Sequence, residues 1–436
     1  MARIVAYLCG VCHPPAVTAA SRRTVVAWTL YDFANSAFVA VIPATVYSQY
    51  YALAVVGNEH GEGDFWWGLA VTTSMVIVAL SSPPLGAIAD HGGLRKRFLF
   101  ALTYLSVAAT AVMATVRPGD VVWGWFLAVV GTVGFEGAIV YYNAYLSDLA
   151  PPERQGRLSG YGFAVGYLGS AVALAAALPL AQRGDFSGTF LVTAALFGVF
   201  AVPAFLFLPP DRPARLALRQ TIGTAFAGTW ASLRRILAMP ALRRFLLAYL
   251  FFEDGINTVV YFSSVFAGHT LAFTTPEVIQ LYFVVQLAAV VGAWAWARPT
   301  DVRGPKFVVM VTLVQWCVVV AAAYLVQTKA QFFAVAVVAG TALGAVQAAG
   351  RAFMAGLIPP GREAELFGFY ALCGKTAAIL GPLVFGLASR LTGGNQRIAI
   401  VSVGLFFVIG LVLVRGVDAG GPIRERTHAH NEPARR

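Results

Sequence analysis

Apolar residues in this chain come in long runs rather than on one face of short helices. Runs of roughly 20 such residues match the hydrocarbon core of a bilayer at 1.5 Å rise per residue. They fall at 24–53, 66–89, 98–116, 121–147, 159–181, 188–208, 242–267, 275–297, 307–327, 331–355, 365–389 and 398–414. A closed β-barrel needs short alternating segments instead. The pattern therefore predicts an all-α polytopic membrane protein with 12 transmembrane helices. The sixth and seventh runs are separated by a longer connector, 209–241, whose RLALRQTIGTAFAGTWASLRRIL stretch reads as an amphipathic helix on the membrane surface. This divides the chain into an N-terminal tail (1–23), a six-helix bundle (24–208), the connector (209–241), a second six-helix bundle (242–415) and a disordered tail (416–436). Pro43, Pro83, Pro84 and Pro382 are expected to kink their helices.

Composition agrees. Charged residues make up 12% of the chain and mean hydropathy is +0.72, against about 25% charged in soluble domains. Lys and Arg sort by side. With both termini on one face, that face holds both tails, Arg95–Arg97, Arg154, Arg157, the connector, Arg298–Lys306, Arg351 and Arg362. The other face holds Arg117, Arg183, Lys329, Arg390 and Arg397, and Lys375 sits within a span. A bias of about five to one places both termini in the cytoplasm, in a bacterial inner (plasma) membrane. The net charge of +11 then reflects topology and attraction to anionic lipid. The basic residues are dispersed over several loops, which argues against nucleic acid as a partner. Cys9, Cys12 and His13 form a CGVCH sequence that superficially matches a haem attachment motif, but that chemistry needs the opposite, oxidising face. Residues 1–20 resemble a signal peptide, yet their apolar stretch is short, and they read better as a tail.

Three pairs of segments correspond between the halves. Asp32-Phe-Ala-Asn35-Ser36 matches Asp254-Gly-Ile-Asn257-Thr258. LAPPERQGRLSGY (149–161) matches LIPPGREAELFGF (357–369), and GAIADHGGLRKR (86–97) has a degraded echo in ARPTDVRGPK (297–306). The same order at equivalent spans predicts a six-plus-six duplication.

Charges inside the spans carry the chemistry. An Asp or Lys at a helix centre costs roughly 2.5–3.5 kcal/mol on insertion scales and survives by facing water or a partner. Asp32, Asn35 and Ser36 share one helix face, as do Asp254, Asn257 and Thr258. Two symmetry-related polar faces would build a mid-membrane site; the competing use is interhelical hydrogen bonding. Glu136 lies in a glycine-rich stretch with Asn143 seven residues on, and Glu253 and Lys375 complete the set. Lys375 is expected to pair with Glu253 or Asp254. A second set is expected to gate the cytoplasmic end: Asp90, Arg95, Lys96 and Arg97 in GAIADHGGLRKR, with Asp148, Arg154, Arg157, Arg351 and Arg362.

The absences narrow the class. No GxxxxGK[ST] sequence supports ATP-driven transport and no HExxH helix supports a metalloenzyme. The His residues, 13, 60, 91, 269, 428 and 430, avoid the span centres. No enzyme activity, cofactor or metal is expected.

The stretches WTLYDFANSAF (28–38), SPPLGAIADHGGLRKR (82–97), YYNAYLSDLAPPERQGRLSGYGFAVGYLG (141–169), FLLAYLFFEDGINTV (245–259) and GAVQAAGRAFMAGLIPPGREAELFGFYALCGK (344–375) resemble the major facilitator superfamily, and within it the vacuole-effluxer-like permeases. The resemblance implies a secondary transporter working by alternating access, and it places the superfamily's loop signature on Asp90 and Arg95 to Arg97. It implies a small-molecule substrate, amino acids by analogy with fungal relatives, and a monomer. Protons are the favoured coupling ion, because partly buried carboxylates bind protons readily. A drug or cation exporter and a non-transporting receptor or scaffold are the alternatives.

Overall fold

The computed structural model describes residues 21–57, 62–211, 213, 231–271, 273, 275–359, 361–377, 380–392 and 396–418. The CGVCH sequence, residues 214–230 of the amphipathic stretch and the tail beyond 418 lie outside them. The long helices are α1 (Arg22–Val41), α2 (Glu62–Gly92), α3 (Arg95–Val112), α4 (Val121–Ala144), α5 (Pro152–Gln182), α6 (Phe186–Phe207), α7 (Pro240–Leu271), α8 (Thr275–Arg303), α9 (Pro305–Leu325), α10 (Lys329–Leu357), α11 (Glu363–Thr376), α12 (Leu380–Leu391) and α13 (Gln396–Arg415). Residues 231–238 of the connector are helical.

Ten of the described helical segments are long and apolar enough to cross a membrane. The expected spans at 242–267 and 365–389 are not among them, for physical reasons. Helix α7 carries Arg243, Arg244, Glu253 and Asp254, which lower its hydropathy. In the eleventh span α11 ends at Thr376 with Ala377 in a turn and α12 runs from Leu380; residues 378–379 between them lie outside the described residues.

Proline acts as expected in the first span. Pro43 has no N–H to donate, α1 ends at Val41, and the chain turns over four residues before a short helix, Val46–Gln49, and a π-helical stretch, Tyr50–Val56. Three tyrosine hydroxyls anchor this stretch by donating to carbonyls: Tyr47 to Gly124, Tyr50 to Val116 and Tyr51 to Val121, each at 2.8 Å. Pro83 and Pro84 sit within a helix that continues through them.

Helices α1–α6 pack mainly on one another, with α1 against α5 and α6 and α3 against α4 and α6. Helices α7–α13 do the same, with α7 against α13, α8 against α10 and α9 against α10 and α13. The two groups meet where α2 packs on α11, α5 on α8 and α10, and α4 on α11.

Close helix approach rests on missing side chains. At Gly344 of α10 an added Cβ would stand 2.0 Å from the Ala289 carbonyl oxygen of α8. Gly344→Val is therefore expected to cost about 2 kcal/mol or more. It should visibly lower the Tm of the detergent-purified protein. Gly356→Val on the same helix, with open space around it, should stay near wild type.

Candidate functional site

The site is built in layers, starting from the end of the bundle that carries the basic loops. There the halves are joined by two related locks. The Asp90 carboxylate at the end of α2 accepts the Glu365 backbone N–H at the start of α11 (2.9 Å) and the Arg95 Nε–H (2.7 Å). Arg95 also donates to Asp148 (2.9 Å) and to Glu363 of the other half. In the counterpart, Asp301 at the end of α8 accepts the Arg157 backbone N–H of α5 (2.8 Å) and pairs with the Arg157 side chain at 3.3 Å. Residues 157 and 365 occupy the same place in the repeated LAPPERQGRLSGY and LIPPGREAELFGF segments. Gly93 and Gly304, three residues after each Asp, both adopt left-handed backbone (φ 63° and 85°) to turn into the next helix. At α11 the Asp meets unpaired first-turn N–H groups and the positive end of the helix dipole, which favour a carboxylate.

Not every residue predicted for this gate crosses it. The Lys96 backbone N–H donates to Asp211 and its ammonium to the Leu208 carbonyl, while Arg97 stands 3.8 Å from Asp211. Both tie the start of the connector to its own half. Arg154 is exposed. Arg362 binds Glu365 (2.8 Å) and, through Ser232 (3.3 Å), the helical end of the connector.

The second layer centres on Arg351, which the charge pattern assigns to the basic face with the gate. It lies instead inside α10, only 2% exposed, and reaches into the other half. Its Nη1 donates to Asp32 of α1 (3.1 Å) and Asn143 of α4 (3.4 Å); its Nε and Nη2 donate to the hydroxyl and carbonyl of Ser159 on α5 (2.9 and 2.8 Å). The guanidinium lies over the rings of Phe163, Trp28 and Tyr142, at 4.1, 4.9 and 5.6 Å from their centroids. Trp28 and Tyr142 stack on each other, and Trp28 donates to the Tyr142 carbonyl. Asn35 donates to Asp32 at 3.4 Å, and Ser36 to Asn35. The face predicted on α1 is therefore real, but it looks onto α5 and the intruding arginine.

Deeper in, Lys375 of α11 pairs with Glu136 of α4 at 2.5 Å, across the two halves. The ion pair is thus with Glu136 and not with Glu253 or Asp254 as expected, while Glu253 lies near enough to feel the Lys375 charge. Glu253 is instead held within its own half by the Gln347 amide (3.0 and 3.1 Å). Glu136 and Lys375 keep 13% and 26% of their side chains open. Asp254 is fully buried, and both its oxygens accept the Gly381 N–H at the start of α12 (3.0 and 2.9 Å). Thr258 bonds back to the Asp254 carbonyl and is fully buried; Asn257 is half-buried. Asp254 and Thr258 thus hold the break between α11 and α12 and do not join Asp32 in one cluster. A cavity of about 70 Å³ inside the second group is apolar, lined among others by Val259, Trp316, Phe332 and Leu343, and holds none of these charges.

Sequence reading passed over Asp301, Ser159, Phe163, Tyr142, Gln347, Glu363 and Glu365. Asp301 was within reach, since it aligns with Asp90 in the degraded repeat, and Gln347 shares a helix face with Arg351.

Comparison with known proteins follows this geometry. The family model described as "Vacuole effluxer Atg22 like" matches residues 68–155 and 151–426. The uncharacterized MFS-type transporter YxiO of Bacillus subtilis is 31% identical over 89% of this chain and 93% of its own. Autophagy-related protein 22 of Cryptococcus neoformans is 28% identical over 59% of this chain, which spans only 51% of that longer protein. Among solved structures, the human organic anion transporter MFSD10 matches with a TM-score of 0.69 at 18% identity, covering 90% of this chain and 98% of that one. The proton:xylose symporter XylE matches at 0.67 and 14%, covering 91% and 94%. These likenesses give the fold, a major facilitator fold. The chain belongs to the Atg22-like family of major facilitator membrane transporters.

Proposed function

We propose that this protein is a secondary active transporter in a bacterial inner membrane, with cytoplasmic termini. It carries a small polar solute, an amino acid or similar, by rocking residues 24–208 against 242–415, with protons as coupling ion. One observation carries this reading: the polar contacts that join the halves gather toward the basic end. The Asp90 and Asp301 locks lie there, and the Arg351 layer stands only six residues from the end of α10. At the other end α12 packs on α7 and α13 of its own half. The arrangement is that of a carrier closed toward the cytoplasm.

The Glu136–Lys375 pair spans the moving interface and is partly open. A proton taken by Glu136 would release Lys375 and weaken the closed state, which is how protonation would drive the cycle. An exporter of organic cations is the second reading, favoured by the aromatic rings around Arg351.

A counterflow screen in proteoliposomes, with a pH-gradient arm, tests the assignment; no accumulation of any solute class would refute it. Lys375→Ala is expected to abolish pH-gradient-driven uptake while the protein still folds. The double variant Glu136→Gln/Lys375→Gln should recover any Tm lost by the single one, because no half-pair remains. Wild-type coupled uptake in Lys375→Ala would remove the pair from the mechanism. Asp90→Asn should loosen the cytoplasmic end by about 1.5–3 kcal/mol, the worth of a charge-assisted hydrogen bond. On a background lacking native cysteines, a thiol at the buried Thr300 position should then react at least ~10-fold faster. An unchanged rate would mean that Asp90 does not hold the gate.

A further inference from the structure

We propose that the Arg351 socket is the recognition site for a guanidinium or primary-ammonium group on the transported solute, and that Arg351 is its built-in competitor. This rests on the transporter reading and names the substrate class of that site.

Ownership of the parts is the first reason. Trp28 and Asp32 belong to α1, Tyr142 and Asn143 to α4, Ser159, Gly162 and Phe163 to α5. All seven lie in the first half; from the second come the Arg351 side chain and, one turn earlier on α10, the Ala348 carbonyl that accepts the Ser159 hydroxyl (2.7 Å). When the halves part at the basic end, the arginine leaves and the socket stays, since α1 packs closely along α5 and the Trp28 ring stacks on Tyr142.

Chemistry is the second. The emptied socket offers a carboxylate, an amide oxygen, a hydroxyl, a backbone carbonyl and three aromatic faces, all now occupied by a guanidinium. Its floor is shaped to the group: a Cβ on Gly162 would come within 2.7 Å of both Arg351 Nη2 and Asp32 Oδ2. Planar or compact organic cations bind such aromatic boxes through cation–π attraction and directed N–H donors. A proton on Asp32 would cancel its charge but leave the rings and the Ser159 carbonyl unfilled. An anion would meet Asp32.

Energetics supplies the coupling. Withdrawing Arg351 leaves the Asp32 carboxylate in a poorly solvated site without its cation, which is costly. A solute cation entering from the cytoplasm restores the pairing and stabilises the open state, so that binding and opening become one event. Arg351 then displaces the solute as the gate closes.

The test uses the full-length protein. Arg351→Ala empties the socket. Millimolar guanidinium chloride or agmatine should raise the Tm of this variant where equal sodium chloride does not. The shift should be smaller in wild type, and it should vanish when Asp32→Asn is added. Should Arg351→Ala not fold, Arg351→Lys keeps a cation with fewer contacts. In counterflow with Arg351→Lys, agmatine should compete with the carried solute at about tenfold lower concentration than in wild type. Phe163→Leu in wild type should raise the concentration needed by a similar factor.

Absence of a guanidinium-specific shift in Arg351→Ala together with absence of agmatine competition in Arg351→Lys overturns the proposal. A shift that survives Asp32→Asn overturns it as well. If neutral solutes are carried and cations neither compete nor accumulate, the transporter reading stands and the substrate class falls. If wild type carries no solute of any class while Arg351→Ala still takes guanidinium, the transporter reading falls and the socket remains a cation site.

Discussion

A charge inside a membrane helix must find an opposite charge, a hydrogen-bonding dipole or water, because hydrocarbon offers none of these. What organises this protein is where each partner comes from. Asp254 and Glu253 find theirs within their own half, in the Gly381 N–H and the Gln347 amide. Asp32, Asp301 and Glu136 find theirs in the opposite half, in Arg351, the start of α5 and Lys375, and Asp90 divides its oxygens between Arg95 of its own half and the start of α11. Charges of the first kind hold a bundle together whatever its neighbour does. Charges of the second kind make the closeness of the halves a matter of electrostatics.

The internal duplication has been kept in one layer and lost in another. At the basic end the two locks remain near-copies, Asp90 on residue 365 and Asp301 on residue 157, each followed by a left-handed glycine. One carries the Arg95 cluster with Asp148 and Glu363; the other pairs with Arg157. In the Asp32 and Asp254 layer the copies have parted. Asp32 meets a side chain that can leave, whereas Asp254 meets a backbone N–H that cannot leave without unmaking a helix end.

The broken eleventh span links scaffold and site. Its first piece, α11, makes polar contacts with the first half through Glu363 and Glu365 at its start and Lys375 at its end. Its second piece, α12, is tied to α7 by Asp254.

Hydropathy located helices at the expected positions, because the cost of putting polar backbone or charge in hydrocarbon is large and local. The shared face of Asp32, Asn35 and Ser36 was legible for the same reason: helical spacing is a property of neighbouring residues. Pairing was not. Lys375 has three carboxylates at comparable places in the sequence, and only the packing of α4 on α11 selects Glu136. Arg351 reads as a loop charge until α10 is seen to carry it into the other half, among rings from three other helices. Sequence alone determined which residues must be partnered; tertiary structure decided with whom, because a partner's distance depends on how helices far apart in the chain are laid side by side.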